Sequence, residues 1–304
     1  MRSVIEIRER ILIGLGGGST LLGGLACGGN IEHPPGATGG AGRPFAVDGA
    51  ARHAGVVTRA DWFERRSEGA AHGKPQELRR LAAAWLADAQ AEHASIASFA
   101  RFTLHLLALG APPDLVADAQ SAASDEVEHA KLCFALASRY AGRSLGPGPL
   151  SMEGAVTDVS LAELAVATVR EGCVGETMSA VVAGERLERA RDAEVRAALE
   201  QIAADETRHA ELAWRTVAWA IARGSDVVRE AVRTAFADAV APYLAYRSVA
   251  EGGDAPDELS DHGLLPHDRI RLVEKAVARD VLVPLAAGFH DVSPRSSRPS
   301  LRMG

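Results

Sequence analysis

Cysteine and aromatic residues are scarce in this sequence, and it has no long basic run. The three cysteines, Cys27, Cys133 and Cys173, are too far apart for a compact zinc site or a disulfide-rich framework. Aromatic residues form only 5% of the chain while alanine and leucine dominate, which favours helix over sheet. The formal net charge is −7, and without a basic patch we expect no nucleic-acid partner.

The N-terminal residues follow the order of a bacterial export signal. Charged MRSVIEIRER precedes the apolar and small residues ILIGLGGGSTLLGGLA, and Cys27 comes directly after them. Cys27 after Leu-Ala resembles the lipobox at which lipoproteins are cleaved and acylated, although Gly24 stands where leucine is usual. We therefore predict a signal over residues 1–27 and lipidation at Cys27. The alternative is a glycine-rich start on a cytoplasmic protein.

The residues after Cys27 are rich in glycine and proline and cannot bury enough apolar surface to order themselves. We predict a flexible tether over residues 28–60. The signal segment itself contains too much glycine for a permanent membrane span. Together these features predict a protein of the cell envelope or periplasm that is anchored in the membrane through lipidated Cys27, with the cytoplasm as the alternative.

Helical periodicity dominates the chain after residue 61, and no stretch is typical of a strand or hairpin. Proline and glycine mark most of the helix boundaries. The predicted helices cover about 75–109, 113–141, 160–189, 192–224, 226–248 and 266–288. The last residues, SPRSSRPSLRMG, are typical of a disordered tail, which we assign to 291–304.

The lengths of the connections indicate how these helices are arranged. The first and second helices are joined tightly, as are the third and fourth, so each pair forms an antiparallel hairpin. A long segment rich in proline and glycine, 142–159, is able to cross from one hairpin to the other. We therefore predict an all-α fold, with a ferritin-like four-helix bundle over 61–224 and additional helices over 225–290 that cover it.

One motif occurs twice, in predicted helices that follow one another in the two hairpins. Residues 125–132 are DEVEHAKL and residues 205–212 are DETRHAEL. In each copy a glutamate and a histidine are three residues apart and share one face of the helix, Glu126 with His129 and Glu206 with His209. A carboxylate and an imidazole on one face can bind the same metal ion. Two such pairs on facing helices predict a site for two ions.

Further ligands for two ions have to come from the first and third helices. The first helix offers Glu92 within AEHASIASFARF, and the third offers Glu171 and Glu176 within REGCVGETMSA. An unpaired buried carboxylate is costly, so these glutamates need a cation. Glu92 precedes its motif glutamate by 34 residues, and Glu171 precedes its own by 35, whereas Glu176 does so by 30. Equal spacing favours Glu171 as the main ligand, with Glu176 as an alternative or additional one.

Residues 75–223 resemble the ferritin-like di-iron carboxylate superfamily. That superfamily carries two copies of an acidic residue followed, about thirty residues on, by Asp-Glu-x-Arg-His. The second copy matches in full, and the first has Glu128 in place of the arginine, which is not a metal ligand. The resemblance implies that Glu126 and Glu206 bridge the two ions. It also implies that Asp125 and Asp205 hold the histidines through hydrogen bonds.

Carboxylate and imidazole ligands suit iron or manganese better than zinc, and we expect two iron ions, with manganese as the alternative. The leading hypothesis is an oxidoreductase that activates dioxygen at the carboxylate-bridged site. Its partner would be dioxygen or a small-molecule substrate that the sequence does not name. One alternative is a ferroxidase or iron-handling protein. The other is a non-enzymatic module of the envelope that the metal stabilises.

Overall fold

The computed structural model describes residues 2–15, 43–62, 71, 73–248 and 258–289. Cys27, residues 28–42 of the tether predicted for 28–60 and the tail predicted for 291–304 lie outside these ranges. The described chain is mostly helical, as predicted for an all-α protein. The helices are α1 (Arg2–Gly14), α2 (Pro75–Ala108), α3 (Pro113–Ala141), α4 (Leu161–Ala167), α5 (Thr177–Arg189), α6 (Ala193–Arg223), α7 (Asp226–Ala245), α8 (His267–Val277) and α9 (Val283–Gly288).

Shorter elements connect or interrupt these helices. A first π-helix, Thr168–Glu176, joins α4 to α5, and a second, Ala278–Leu282, joins α8 to α9. A 3₁₀ turn covers Glu258–His262. Two pairs of two-residue strands also occur, which the sequence pattern did not predict because such short strands carry no alternation. They are β1 (Ala46–Val47) with β2 (Ala50–Ala51), and β3 (Val56–Val57) with β4 (Gly146–Pro147), and both pairs are antiparallel.

Local chemistry explains where the long helices begin and end. Pro75 and Pro113 occupy first turns, where no backbone N–H is needed. Gly142 ends α3 in the left-handed conformation, with φ of 64°. The Asp192 carboxylate accepts hydrogen bonds from the backbone N–H groups of Glu194 and Val195, each at 3.1 Å, and thereby begins α6. The turn between α5 and α6 is therefore only three residues long.

Four long helical segments pack together around the interior. Helix α2 packs along α3, and α6 packs against α3, α5 and the first π-helix. The third segment is composite, because α4, the first π-helix and α5 follow one another without a break. Helix α7 packs against α4 and the first π-helix, and α8 packs against α5. The C-terminal helices thus lie against the composite segment.

Helix α1 packs onto the same assembly. Its Ile7 and Ile11 are buried in an apolar cluster with residues of α5, α6 and the second π-helix. Arg10 forms an ion pair with Glu211 of α6 at 2.9 Å. Among the described helices, none has the length and apolar character that a membrane span requires.

The segment from 43 to 57 runs along α2. The Ser95 hydroxyl donates to the Arg43 carbonyl at 2.8 Å, and the Gln90 amide donates to the Ala54 carbonyl at 2.9 Å. Strand β3 then pairs with β4 in the crossover between the hairpins. This arrangement carries the Arg43 side chain into the interior, where the residue is only 2% exposed.

Candidate metal centre

Four carboxylates and two imidazoles meet in the interior of the four long segments. They are Glu92 of α2, Glu126 and His129 of α3, Glu176 at the end of the first π-helix, and Glu206 and His209 of α6. None of the six is more than 2% exposed. The repeated motif therefore places both of its glutamate–histidine pairs on inward faces, as the sequence predicts.

The first group of ligand atoms surrounds the Nδ1 atom of His129. This nitrogen lies 3.7 Å from Glu92 Oε2, 3.7 Å from Glu126 Oε2 and 3.6 Å from Glu206 Oε1. One ligand atom from each of these four residues lies within 4.8 Å of the other three, a spacing at which they can hold one metal ion.

The second group shares a glutamate with the first. Glu176, Glu206 and His209 each place one ligand atom within 4.8 Å of the others. The Nδ1 atom of His209 also lies 3.2 Å from Glu126 Oε1. Glu206 therefore belongs to both groups, and Glu126 lies close to both histidines.

The inward atoms of these side chains have no hydrogen-bond partner in the described part of the protein. They are both carboxylate oxygens of Glu126, Glu176 and Glu206, Oε2 of Glu92, and Nδ1 of His129 and His209. Buried polar atoms are normally paired, and an unpaired buried charge is very costly. The cluster therefore offers unpaired ligand atoms at its centre and can hold a metal ion.

The outer nitrogens of both histidines contact aspartates, and they do so crosswise. His129 Nε2 lies 3.0 Å from Asp205 Oδ2, and His209 Nε2 lies 3.2 Å from Asp125 Oδ2. Each histidine thus pairs with the aspartate of the other motif. Because Nε2 faces a carboxylate, the proton is held there and Nδ1 is left to face the cluster.

Arg208 joins the two aspartates on the outside of the site. Its Nη1 lies 2.7 Å from Asp205 and its Nη2 lies 3.1 Å from Asp125. One guanidinium therefore supports both histidines through their carboxylate partners. The sequence contains this arginine only in the second motif, and nothing in the pattern indicated that it would serve both aspartates.

Burial sets the protonation of the carboxylates when no ion is bound. Burial and the neighbouring Glu126 carboxylate raise the pKa of Glu92 to about 8. Burial, together with the Glu176 and Glu126 carboxylates, raises the pKa of Glu206 well above its usual range. Burial also raises the pKa of Glu176. These three groups therefore favour the neutral acid until a cation compensates their charge.

Glu126 and the histidines behave in the opposite way. Burial opposes ionisation of Glu126, but contacts with His129 and His209 outweigh it and hold the pKa of that carboxyl below its usual range. Burial would lower the pKa of His209, yet contacts with Asp125 and Glu126 raise it to about 9. Protons on the imidazoles thus compensate part of the negative charge in the metal-free protein.

Glu171 lies outside the cluster, which corrects the ligand that equal spacing favoured. Its carboxylate pairs with Arg43 at 3.3 Å and with Arg101 at 3.8 Å, and its side chain is 20% exposed. Glu176 takes the inward position instead. Hydrogen bonds in a π-helix run from residue i to i+5, so Glu171 lies about one turn before Glu176 along the segment.

The two hairpins differ in the helix that precedes the turn. Glu126 and Glu206 each lie thirteen residues after the start of their helices, but Glu92 lies sixteen residues before the end of α2 at Ala108. Glu176 lies thirteen residues before the end of α5 at Arg189, and Glu206 lies thirteen residues after the start of α6 at Ala193. Glu176 and Glu206 are therefore equally far from the turn that joins α5 to α6, which places them side by side in the hairpin. The spacing in the α2–α3 hairpin, which turns through a different loop, therefore could not be transferred to this one.

The two cysteines in the described chain do not add ligands. Cys133 and Cys173 are free and fully buried, and burial raises the pKa of both thiols well above its usual range. Neither cysteine belongs to either group of ligand atoms.

Comparison with protein-family models, with curated proteins and with solved structures found no match.

Proposed function

We propose that this protein is a ferritin-like di-metal oxidoreductase that holds two divalent ions, iron or alternatively manganese, and activates dioxygen for a small substrate. The observation that carries the proposal is the set of nine unpartnered buried atoms on six side chains that face one another. A cation is the simplest group that compensates them all, because each atom is an acceptor when its side chain is deprotonated.

Charge balance supports two divalent ions. The four glutamates carry four negative charges when ionised, and two divalent ions carry four positive charges, so the loaded centre is neutral with both imidazoles uncharged. Oxygen-rich donor sets with imidazole suit iron and manganese, whereas a structural zinc site would use cysteine and a single tetrahedron. Neither Cys133 nor Cys173 belongs to either group of ligand atoms, which is consistent with that preference.

The two overlapping groups suggest how the ligands would divide. Glu92 and His129 would hold one ion, and Glu176 and His209 the other. Glu126 and Glu206 would contact both, since each lies within reach of both groups. Metal uptake would release the protons that Glu92, Glu206 and the histidines carry in the metal-free protein.

When bound, a pair of ferrous ions supplies the electrons that reduce dioxygen. The residues of this chain perform the other tasks. Asp125 and Asp205 hold the proton on Nε2 of each histidine and keep Nδ1 directed inward. The packing around the six side chains excludes bulk water, which strengthens every charge interaction at the site. Phe99 meets the His209 ring edge-on and forms an apolar wall on that side of the centre.

Metal analysis together with oxygen consumption tests this function. The purified full-length protein should contain about two transition-metal ions per chain, and the ferrous-loaded protein should consume dioxygen. Glu206→Ala should lose most of the metal, since Glu206 belongs to both groups. Glu200→Ala is the matched control, because Glu200 is an exposed glutamate on the same helix.

The alternatives predict different results in the same experiment. A ferroxidase consumes dioxygen only in proportion to the iron added, whereas the oxidoreductase, supplied with an external reductant and an oxidisable substrate, consumes dioxygen in excess of its bound iron. A structural metal site keeps its two ions and consumes none. A protein that binds no transition metal contradicts the proposal in all its forms.

For localisation we propose the cell envelope, with the chain held by a lipid at Cys27. The support is the order of charged, apolar and small residues over 1–27. Radiolabelled palmitate should enter the protein and be lost in Cys27→Ser. Helix α1 belongs to that segment and packs Ile7 and Ile11 against the bundle. A protein that retains α1 and takes up no palmitate would support the cytoplasmic alternative.

A further inference from the structure

Arg43 is a buried cation close to the candidate metal centre. The residue is 2% exposed, and its guanidinium lies over the rings of Phe102 at 4.1 Å and Phe99 at 5.1 Å. Phe99 in turn meets the His209 ring edge-on, with 5.0 Å between the ring centroids. One aromatic ring therefore separates Arg43 from a proposed metal ligand.

Most of the hydrogen-bonding capacity of Arg43 is unused. Its Nε donates to Glu171 at 3.3 Å, and this is the guanidinium's only hydrogen bond to the described residues. Its two Nη atoms together carry four N–H groups. A buried guanidinium normally makes several hydrogen bonds, and bidentate pairing with a carboxylate is the geometry that suits it best.

Arg101 faces the same carboxylate from the other side. Its Nη2 lies 3.8 Å from Glu171, and its Nη1 donates to the Ala46 carbonyl at 2.5 Å. Two guanidiniums thus share one carboxylate, and both of their contacts with it are longer than the roughly 2.7–2.9 Å of a strong charge-assisted bond. The group of three carries one surplus positive charge and holds its only anion loosely.

Gly172 keeps the space next to Arg43 free of a side chain. A Cβ at this position would lie 2.5 Å from Ala213 Cβ and 3.7 Å from Arg43 Nη2. The π-helix backbone therefore approaches α6 closely at this point, and a side chain at Gly172 would also contact Arg43 Nη2. Glu171 is partly exposed, so it is free to turn towards solvent when another anion takes its place.

We propose that Arg43 and Arg101 form a binding site for a small carboxylate, which pairs with the free Nη groups of Arg43 and displaces Glu171. The site does not require metal, because none of its donors is a metal ligand. A carboxylate bound there would lie across Phe99 from His209, so the site could anchor the acidic end of a substrate beside the metal centre. That use of the site rests on the proposed function.

Calorimetric titration with acetate tests the site in the metal-free full-length protein. The titration is performed at constant ionic strength with chloride as the reference salt. We expect one acetate per chain and affinity reduced about tenfold or more in Arg43→Gln, because a charge-assisted bidentate pair is lost. Arg215→Gln is the control, since Arg215 pairs with Asp114 and Asp118 away from the site.

Glu171→Gln gives the sharpest result, because it leaves both arginines intact. Removing the competing carboxylate should tighten acetate binding about tenfold, whereas a purely structural ion pair predicts no gain. Absence of acetate binding, equal binding by Arg43→Gln, or no gain in Glu171→Gln would each overturn the proposal. Should Arg43→Gln fail to fold, Glu171→Gln and Arg101→Gln decide the question. Glu206→Ala should lose metal and keep acetate binding, so failure of the metal centre is distinguishable from failure of this site.

Discussion

His129 Nε2 lies 3.0 Å from the carboxylate of Asp205, which belongs to the other copy of the repeated motif. The reciprocal pair, His209 with Asp125, lies at 3.2 Å. The two motifs are therefore not two independent half-sites. Each supplies the carboxylate that orients the other's imidazole, so both helices have to be in place before either histidine is directed inward.

Replacing the cross-bonded aspartates should weaken metal binding without removing a ligand. Asp205→Asn and Asp125→Asn should each lower metal affinity about 10- to 100-fold, because a neutral amide accepts the imidazole N–H more weakly than a carboxylate and holds the ring less firmly. Competition with a chelator of known affinity measures the effect. Asp118→Asn, which changes a half-exposed aspartate paired with Arg215, is the control and should leave affinity unchanged.

The two glutamates of the first π-helix should differ sharply. Glu176→Gln removes a buried carboxylate of the second group and should lower the metal content to about one ion per chain or less. Glu171→Gln changes a carboxylate that pairs with Arg43 and Arg101, and it should leave metal content intact. Metal analysis of the two variants prepared in parallel decides between them. Loss of metal in Glu171→Gln alone would restore the ligand that equal spacing favoured.

The metal-free protein should lose stability as the pH rises. Burial and Glu126 raise the pKa of Glu92 to about 8, and contacts with Asp125 and Glu126 outweigh burial and raise the pKa of His209 to about 9. Each group keeps a proton in the native state that the unfolded chain releases at lower pH. The stability that each group contributes is fully present below its pKa in the unfolded chain, and it is lost as the pH rises through its higher pKa in the native protein. The melting temperature should therefore fall between about pH 5 and about pH 9.

Metal and mutation provide the controls for this pH dependence. The metal-loaded protein should show a flatter profile over the same range, since the ions replace the protons. Glu92→Gln should also flatten the profile of the metal-free protein, because the amide needs no proton to be neutral. Glu126 acts in the opposite sense. Its native pKa is lowered, so its contribution to stability is present at neutral pH and is lost only as the solution becomes acidic. A melting temperature that rises with pH in the metal-free protein would contradict this interpretation.

Close packing of the first π-helix against α6 should make Gly172 intolerant of a side chain. The Cβ of Gly172→Ala would lie 2.5 Å from Ala213 Cβ, so we expect a loss of about 1–3 kcal/mol in the free energy of unfolding. Gly175→Ala is the matched control within the same π-helix, because its Cβ would meet only the Arg170 carbonyl oxygen, at 3.5 Å. Urea denaturation of both variants measures the difference. Equal stability would show that the two segments are not in close contact.

The sequence predicted much of the helical framework because its signals are local. Pro75, Pro113 and Gly142 mark helix boundaries that the structure reproduces. The spacing of Glu126 and His129 indicated that the two share a face, since three residues is close to one helical turn. The inward direction of Glu92 followed from its small and apolar neighbours.

The features that the sequence did not predict depend on contacts between distant segments. The choice between Glu171 and Glu176 needed the exact end of the helix before each turn and the presence of the π-helix, and residue spacing encodes neither. Arg43 lies in an irregular segment, and its burial depends on the contacts that this segment makes with α2. The crosswise pairing of His129 with Asp205 needed the relative position of α3 and α6, which no local pattern specifies.

Anomalous scattering from crystals of the protein grown with manganese would show directly whether two ions bind at the repeated motif. We expect two strong peaks within the cluster of six side chains, both in contact with Glu126 and Glu206, one with His129 and the other with His209. A single peak, or peaks only on the surface of the bundle, would contradict a two-ion centre at the repeated motif.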